Sequence, residues 1–194
     1  MMLQPLLPQL THLGIYVHDM DRMVDFYSTV FNLVVTDAGA ARRFENVRIV
    51  FLSATPSSHH QLVLIEWPKD RANGASSVNQ ISFRLNTLDE LREMKRRLEN
   101  AGAPVTPINH GNAMSVYSQD PEGSGLEVYL DLPWYVSQPY GEPLDLSLSN
   151  EELLSQTEKI VRADSSFMPR DQWGQQLNSK LRALAEESAS LAHR

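Results

Sequence analysis

The sequence predicts an α+β fold made of two βαβββ repeats and closed by a C-terminal helical extension. Three observations predict it. A strand, a helix and three further strands follow one another between about residues 10 and 67, and the same order recurs between 78 and 132. His12 and Gln80, 68 residues apart, hold the same place in the two opening strands. From 133 to 194 the chain changes character, with aromatic and proline residues followed by helical patterns.

The first strand, Thr11 to Val17, alternates: His12, Gly14 and Tyr16 on one face, Leu13, Ile15 and Val17 on the other. Asp19 is the expected N-cap of the next helix, because its short carboxylate accepts from the unpaired N–H groups of a first turn. Met20, Met23, Val24, Tyr27, Val30 and Phe31 recur at helical spacing, and Asn32 is the expected stop. Strands are expected at Leu33–Thr36, Val47–Ser53 and Gln61–Glu66, between turn-rich segments. Pro68 to Ser77 is polar and reads as a connector.

The second repeat opens with a strand over Val78–Leu85, whose Gln80, Ser82 and Arg84 share a face. Thr87 with Glu90 has the capping-box form, and Leu88, Leu91, Met94, Leu98 and Ala101 make a helical apolar stripe that ends at Gly102. Strands are expected near Val105–Ile108, Ala113–Ser118 and Leu126–Leu130, the last introduced by the turn Asp120-Pro121-Glu122-Gly123. In the tail, Ser149-Asn150-Glu151-Glu152 opens an amphipathic helix to about Val161. Phe167 to Arg170 breaks it, and an Ala/Leu/Glu/Ser-rich helix closes the chain.

Composition narrows the chemistry. The 194 residues are 42% hydrophobic and 21% charged, with net charge −7, so no nucleic-acid partner is expected. The basic run Lys95-Arg96-Arg97 falls in a helical pattern and reads as a solvated face. The sequence has no cysteine, which excludes disulfides, thiolate metal sites and a cysteine nucleophile within it. A metal must then be held by His, carboxylate, amide or water. No apolar run reaches the roughly 18 residues of a membrane span. MMLQPLLPQL lacks a positive n-region, so no membrane association is expected and the cytoplasm is the expected compartment.

In the last strand of the second repeat Leu126, Val128 and Leu130 alternate with Glu127, Tyr129 and Asp131. An acid amid apolar strand residues is costly to bury unless it is paired or ligates a cation. A histidine on a strand is by itself more often structural, but His12 comes with Glu127 and Gln80 from matching strands. A His–carboxylate set with an open side is the donor set of a non-haem Fe(II) centre.

Three segments resemble the vicinal-oxygen-chelate superfamily of extradiol dioxygenases, glyoxalase I and bleomycin-resistance proteins. They are Thr-His-Leu-Gly-Ile-Tyr-Val-His-Asp-Met-Asp-Arg-Met-Val-Asp-Phe-Tyr (11–27), Asn-Gln-Ile-Ser-Phe (79–83) and Asp-Pro-Glu-Gly-Ser-Gly-Leu-Glu (120–127). The resemblance covers roughly residues 10 to 132 and is closest to single-module dioxygenases of biphenyl-2,3-diol or catechol. It implies a metal on His12, Gln80 and Glu127, where Gln80 replaces the histidine of those dioxygenases. Amide oxygen is a weaker iron ligand than imidazole, although some glyoxalases use glutamine. The resemblance implies an acid–base role for His60 and a hydroxyl on the substrate oxygen from Tyr117. It also places His110 and Asn112 in a substrate-binding loop. Open beside these are a solvated strand start at His59-His60 and a core tyrosine at Tyr117. Phe83, Met114 and Trp134 are candidate pocket walls, with plain packing the alternative.

The implied activity is ring cleavage of a catecholic substrate by O2, with Fe(II) first and Mn(II), Ni(II) or Zn(II) as alternatives. A glyoxalase-like isomerase or lyase would need a fourth ligand, for which Glu66 is the candidate. A metal-free binding module of the bleomycin-resistance type is the third possibility. Each repeat alone leaves one sheet face bare, so repeats pair within the chain or between two copies, and a homodimer is expected.

Overall fold

The computed structural model describes residues 8–41, 47–67 and 78–191. The expected connector at 68–77 and most of the N-terminal segment lie outside them. Two compact units emerge: Thr11–Pro107 with Ser115–Leu130, and Ile108–Met114 with the chain from Asp131 onward.

Up to Asp131 the chain order is β1 (Leu13–Val17), α1 (Met20–Phe31), β2 (Val34–Ala41), β3 (Val47–Ser53) and β4 (Leu62–Glu66), then β5 (Gln80–Arg84), α2 (Leu88–Asn100), β6 (Thr106–Asn109), β7 (Ala113–Gln119) and β8 (Gly125–Asp131). This is β-α-β-β-β twice, the expected fold. One sheet runs β1-β4-β3-β2; in the other β6, β7, β8 and β5 follow in that order. In both, the repeat's first and last strands lie side by side and parallel: Gly14 beside Val63 in one, Ser82 beside Glu127 in the other.

The helix signals act as expected. Asp19 accepts from Arg22 N, and Asn32 closes α1 in the left-handed region at φ 55°. Thr87 and Glu90 form a reciprocal capping box on α2. Met20, Met23, Phe26, Tyr27 and Val30 bury one face of α1; Leu88, Leu91, Met94 and Leu98 bury one face of α2. The largest departure is β2, which runs to Ala41 and not to Thr36. A register shift between Val35 and Asp37 lets it continue, and Val34 to Ala40 are exposed along this sheet edge.

The turn before β8 ties the repeats together. Tyr27, fully buried on α1, donates to Asp120 Oδ2 at 3.0 Å. Burial and the Asp120 charge push its phenol well above the ordinary tyrosine range. Asp120 Oδ1 accepts from Glu122 N and Ser124 N, each at 2.9 Å, which shapes the turn. The Glu122 carboxylate accepts from His18 N and Asp19 N, at 2.7–2.9 Å, where α1 begins. A carboxylate is favoured there by the helix dipole and by the unpaired N–H groups.

The second unit carries β9 (Trp134–Tyr135), β10 (Glu142–Pro143), α3 (Asn150–Val161), β11 (Met168–Pro169) and α4 (Arg170–Leu191). The short strands were not foreseen: β10 pairs with Ile108 and Asn109, and β11 with β9. Ser149 and Glu152 cap α3. Gly111, at φ +72°, is required, since a Cβ there would stand 2.6 Å from Val136 Cγ2. Trp134 is buried and donates through Nε1 to Gly111 O, so it is core. Met114 is fully buried, and Phe83 packs on Phe31 of α1 with ring centres 4.4 Å apart. Among the described residues no helix is long and apolar enough to cross a membrane.

Candidate metal and substrate site

The second repeat builds its part of the site on β5, β7 and β8. Glu127 is only 8% exposed. Its Oε2 accepts from Gln80 Nε2 at 2.8 Å and Ser82 Oγ at 2.7 Å; its Oε1 accepts from Ser115 Oγ at 2.8 Å. The Tyr117 hydroxyl also bonds to Glu127. Burial first, then the Glu127 charge and this bond, push the phenol up to about 12, while a bond from Gln80 opposes them. Four neutral donors therefore meet a carboxyl group that offers about four acceptor positions. Each bond to a charged group contributes about 1.5–3 kcal/mol, which offsets the cost of burying the acid. Gln80 engages Glu127 through its amide nitrogen.

Gly125 allows this assembly. It lies beside Gln80 in the parallel ladder, and a Cβ there would stand 2.2 Å from Asn79 O. Only a glycine lets β8 approach β5 closely enough to set Glu127 beside Ser82.

The first repeat places its polar chemistry just before the strands. His12 precedes β1, and Leu13 N donates to Gln61 O at 3.1 Å. The His12 and His60 rings meet edge to face with centres 4.4 Å apart. His60 Nδ1 lies 2.9 Å from His59 Nδ1, and Phe51 packs against both rings at 5.1 and 5.7 Å. His59 Nε2 is 3.6 Å from Asp37 Oδ2. Desolvation, then the neighbouring His12 and His59, hold the His60 imidazolium below the usual histidine range.

The expected metal residues thus form two groups. Among the described residues no cluster of three or more His, Cys, Asp or Glu side chains is arranged to hold a metal. The donor chemistry of the two groups, imidazole in one and carboxylate with amide in the other, fits a divalent ion.

Glu66 is placed elsewhere. It pairs with Val17, three residues beyond Gly14 and hence on the opposite face of the sheet, and it accepts from Arg48 N at 3.1 Å. The position matching Glu127 is Val63. Alternation counted from His60 missed this because His60 lies before the strand begins. His110 and Asn112 are engaged within the second unit: His110 Nδ1 is 2.7 Å from Tyr140 O, and Gln138 Nε2 donates to Asn112 Oδ1 at 3.2 Å.

Sequence reasoning passed over Ser115, Asp37 and the role of Ser82. Alternation offered a signal for the serines, since Ser82 shares a face with Gln80 and Ser115 with Tyr117. Nothing offered one for Asp37, whose placement depends on the irregular register of β2.

Residues 9–128 match the family model of the glyoxalase/bleomycin resistance protein/dioxygenase superfamily. Two curated relatives are biphenyl-2,3-diol 1,2-dioxygenases 2 and 3 of Rhodococcus globerulus. Each is 27% identical, over 128 and 129 residues, which is 64% of this chain and 63% and 64% of theirs. The match therefore spans less than two thirds of either relative. Among solved structures, a glyoxylase/bleomycin resistance protein/dioxygenase domain from Frankia sp. EAN1pec is 19% identical with TM-score 0.56, covering 65% of this chain and 93% of that one. The fosfomycin resistance protein FosX of Listeria monocytogenes, complexed with Mn(II) and sulfate, is 18% identical with TM-score 0.51, covering 66% and 95%.

Proposed function

Because the chain belongs to the glyoxalase/bleomycin resistance protein/dioxygenase superfamily, we propose that it is an extradiol-type ring-cleaving dioxygenase acting on a catecholic aromatic with O2. The observation that carries this reading is Val63 at the place of Glu127. With an apolar side chain there, the matching strand positions supply three donors, His12, Gln80 and Glu127. Three protein donors leave positions open for both catechol oxygens and for O2. A glyoxalase-like set wants a fourth protein ligand, and Glu66 lies on the other face. The dioxygenase relatives support the same choice.

A second copy completes the site. His12 and Gly14 at β1 are exposed, as are Ser82 and Arg84 on β5, so the strand faces that carry the donors are open in one chain. An isologous dimer sets His12 and His60 of one protomer against Gln80 and Glu127 of its partner, giving two equivalent sites. Fe(II) is the proposed metal, with Mn(II), Ni(II) or Zn(II) as alternatives; when bound, it would chelate the diol and relay to O2 the electrons that the catechol ring gives up. His60, kept neutral, takes the proton of a catechol hydroxyl. Tyr117 holds its proton and, when substrate binds, turns it from Glu127 to a substrate oxygen. A substrate-binding role is also proposed for His110 and Asn112, and the cytoplasm is the proposed compartment.

A metal-free binding module is favoured by one observation, the four protein donors that already satisfy Glu127. Oxygen uptake by protein loaded anaerobically with Fe(II), against catechols including biphenyl-2,3-diol, decides between them. Uptake lost in both His12→Ala and Glu127→Ala, and partly regained on mixing the two inactive variants, supports a dioxygenase with shared sites. Absence of both uptake and bound iron supports the binding module.

A further inference from the structure

A neutral histidine is a base only through the ring nitrogen that lacks a hydrogen. The two nitrogens of His60 are not equivalent. Nδ1 lies 2.9 Å from Nδ1 of His59, so a single hydrogen lies between the neutral rings, and one of them donates. At the far side of His59, Nε2 faces Asp37 Oδ2 at 3.6 Å. A carboxylate accepts and does not donate, so it favours the His59 tautomer protonated at Nε2. His59 Nδ1 is then a lone pair, the shared hydrogen belongs to His60 Nδ1, and His60 Nε2 is left bare.

We infer that Asp37 and His59 are positioning residues that hold His60 as its Nδ1–H tautomer, so that Nε2 receives the substrate proton. The inference rests on the dioxygenase reading for the use made of that nitrogen, and on the geometry alone for the tautomer.

The backbone of β2 is bent to this arrangement. Val35 pairs with Leu52, so regular pairing would set Thr36 opposite Phe51; the shift sets Asp37 there. Bulges re-aim side chains in this way. Without it Asp37 would fall opposite Val50, on the other face of the sheet. Phe51, now opposite Asp37, packs against both imidazoles and holds their mutual angle. The Asp37 and His59 side chains are 69% and 56% exposed, so solvent screens the carboxylate and the preference is a shifted population.

The test is the nitrogen spectrum of the histidines in metal-free protein at about pH 8, where an ordinary imidazole is neutral. Two-bond 15N–1H correlations distinguish the tautomers. His60 is expected mainly as Nδ1–H. Asp37→Asn supplies an amide that donates to His59 Nε2 and reverses the chain, so His60 should move to Nε2–H. Asp37→Ala, which removes the acceptor without adding a donor, should leave a mixture. A parent His60 that is mainly Nε2–H, or a tautomer unmoved by Asp37→Asn, overturns the inference.

In the iron-loaded enzyme, Asp37→Asn should lower kcat about tenfold with KM unchanged, and Asp37→Glu should restore part of it. If the tautomer follows Asp37 but the parent takes up no oxygen, the dioxygenase reading fails and the positioning pair stands. If oxygen is consumed while the tautomer ignores Asp37, the pair fails and the reading stands.

Discussion

In the second repeat, β5 and β8 run parallel with Ser82 beside Glu127; in the first, β1 and β4 run parallel with Gly14 beside Val63. The backbone register is the same, yet the chemistry is placed differently. The second repeat sinks an acid into the sheet and surrounds it with hydrogen-bond donors. The first keeps that position apolar and gathers imidazoles before the strands, where they are half-buried or exposed. The chemistry proposed for the second repeat is therefore tied to stability, and that proposed for the first is nearly free of it.

The largest expected effect comes from breaking the buried side. Glu127→Ala leaves Gln80, Ser82, Ser115 and Tyr117 without their shared acceptor. It should cost roughly 2–4 kcal/mol in urea denaturation, and metal retention measured after dialysis should fall with it. Next come the glycines. In Gly125→Ala the new Cβ meets backbone, 2.2 Å from Asn79 O, and β8 must move. A loss of about 2–3 kcal/mol is expected. In Gly14→Ala the nearest atom is Ile65 Cδ1 at 3.6 Å, an ordinary contact, and stability should stay within about 0.5 kcal/mol. Equal losses at the two glycines would refute the contrast between the repeats.

Much of this was legible in the sequence where local chemistry decides the outcome. Asp19, Asn32, Thr87 with Glu90, and Ser149 with Glu152 announce helix ends because capping needs only a few neighbouring residues. Glu127 stood out because an acid among alternating apolar residues needs a partner. What was not legible depends on register. Glu66 seemed to share a face with His60 because alternation was counted through residues that precede the strand. Asp37 was invisible because one extra residue in β2 turns it to Phe51. The pairing of Ile108 and Asn109 with β10 joins distant segments too short to show a period.

A smaller effect separates the tyrosine from the carboxyl group it serves. Tyr117→Phe removes one donor to Glu127 and should cost about 1 kcal/mol at neutral pH. Its pH dependence is the sharper test. The Tyr117 phenol is raised from 10.0 to about 12, so the folded chain holds this proton more tightly than the unfolded chain does. That contribution is complete below pH 10 and is lost as pH rises toward about 12. Between these limits the parent should lose stability more steeply than Tyr117→Phe. Tyr27, raised by burial and by Asp120, is present in both proteins and cancels in the difference.

The smallest stability effect is expected on the imidazole side. The His59 side chain is 56% exposed and its contact with Asp37 spans 3.6 Å, a geometry that solvent screens. His59→Ala should therefore change unfolding free energy by no more than about 0.5 kcal/mol, because it uncovers no buried donor and opens no cavity in the core. The same variant removes the ring that fixes the His60 tautomer, so oxygen uptake should suffer while denaturation curves overlay. A loss near that of Glu127→Ala would mean that the histidine cluster is a structural part of the first sheet. The two repeats would then differ in composition only, and not in how they divide stability from chemistry.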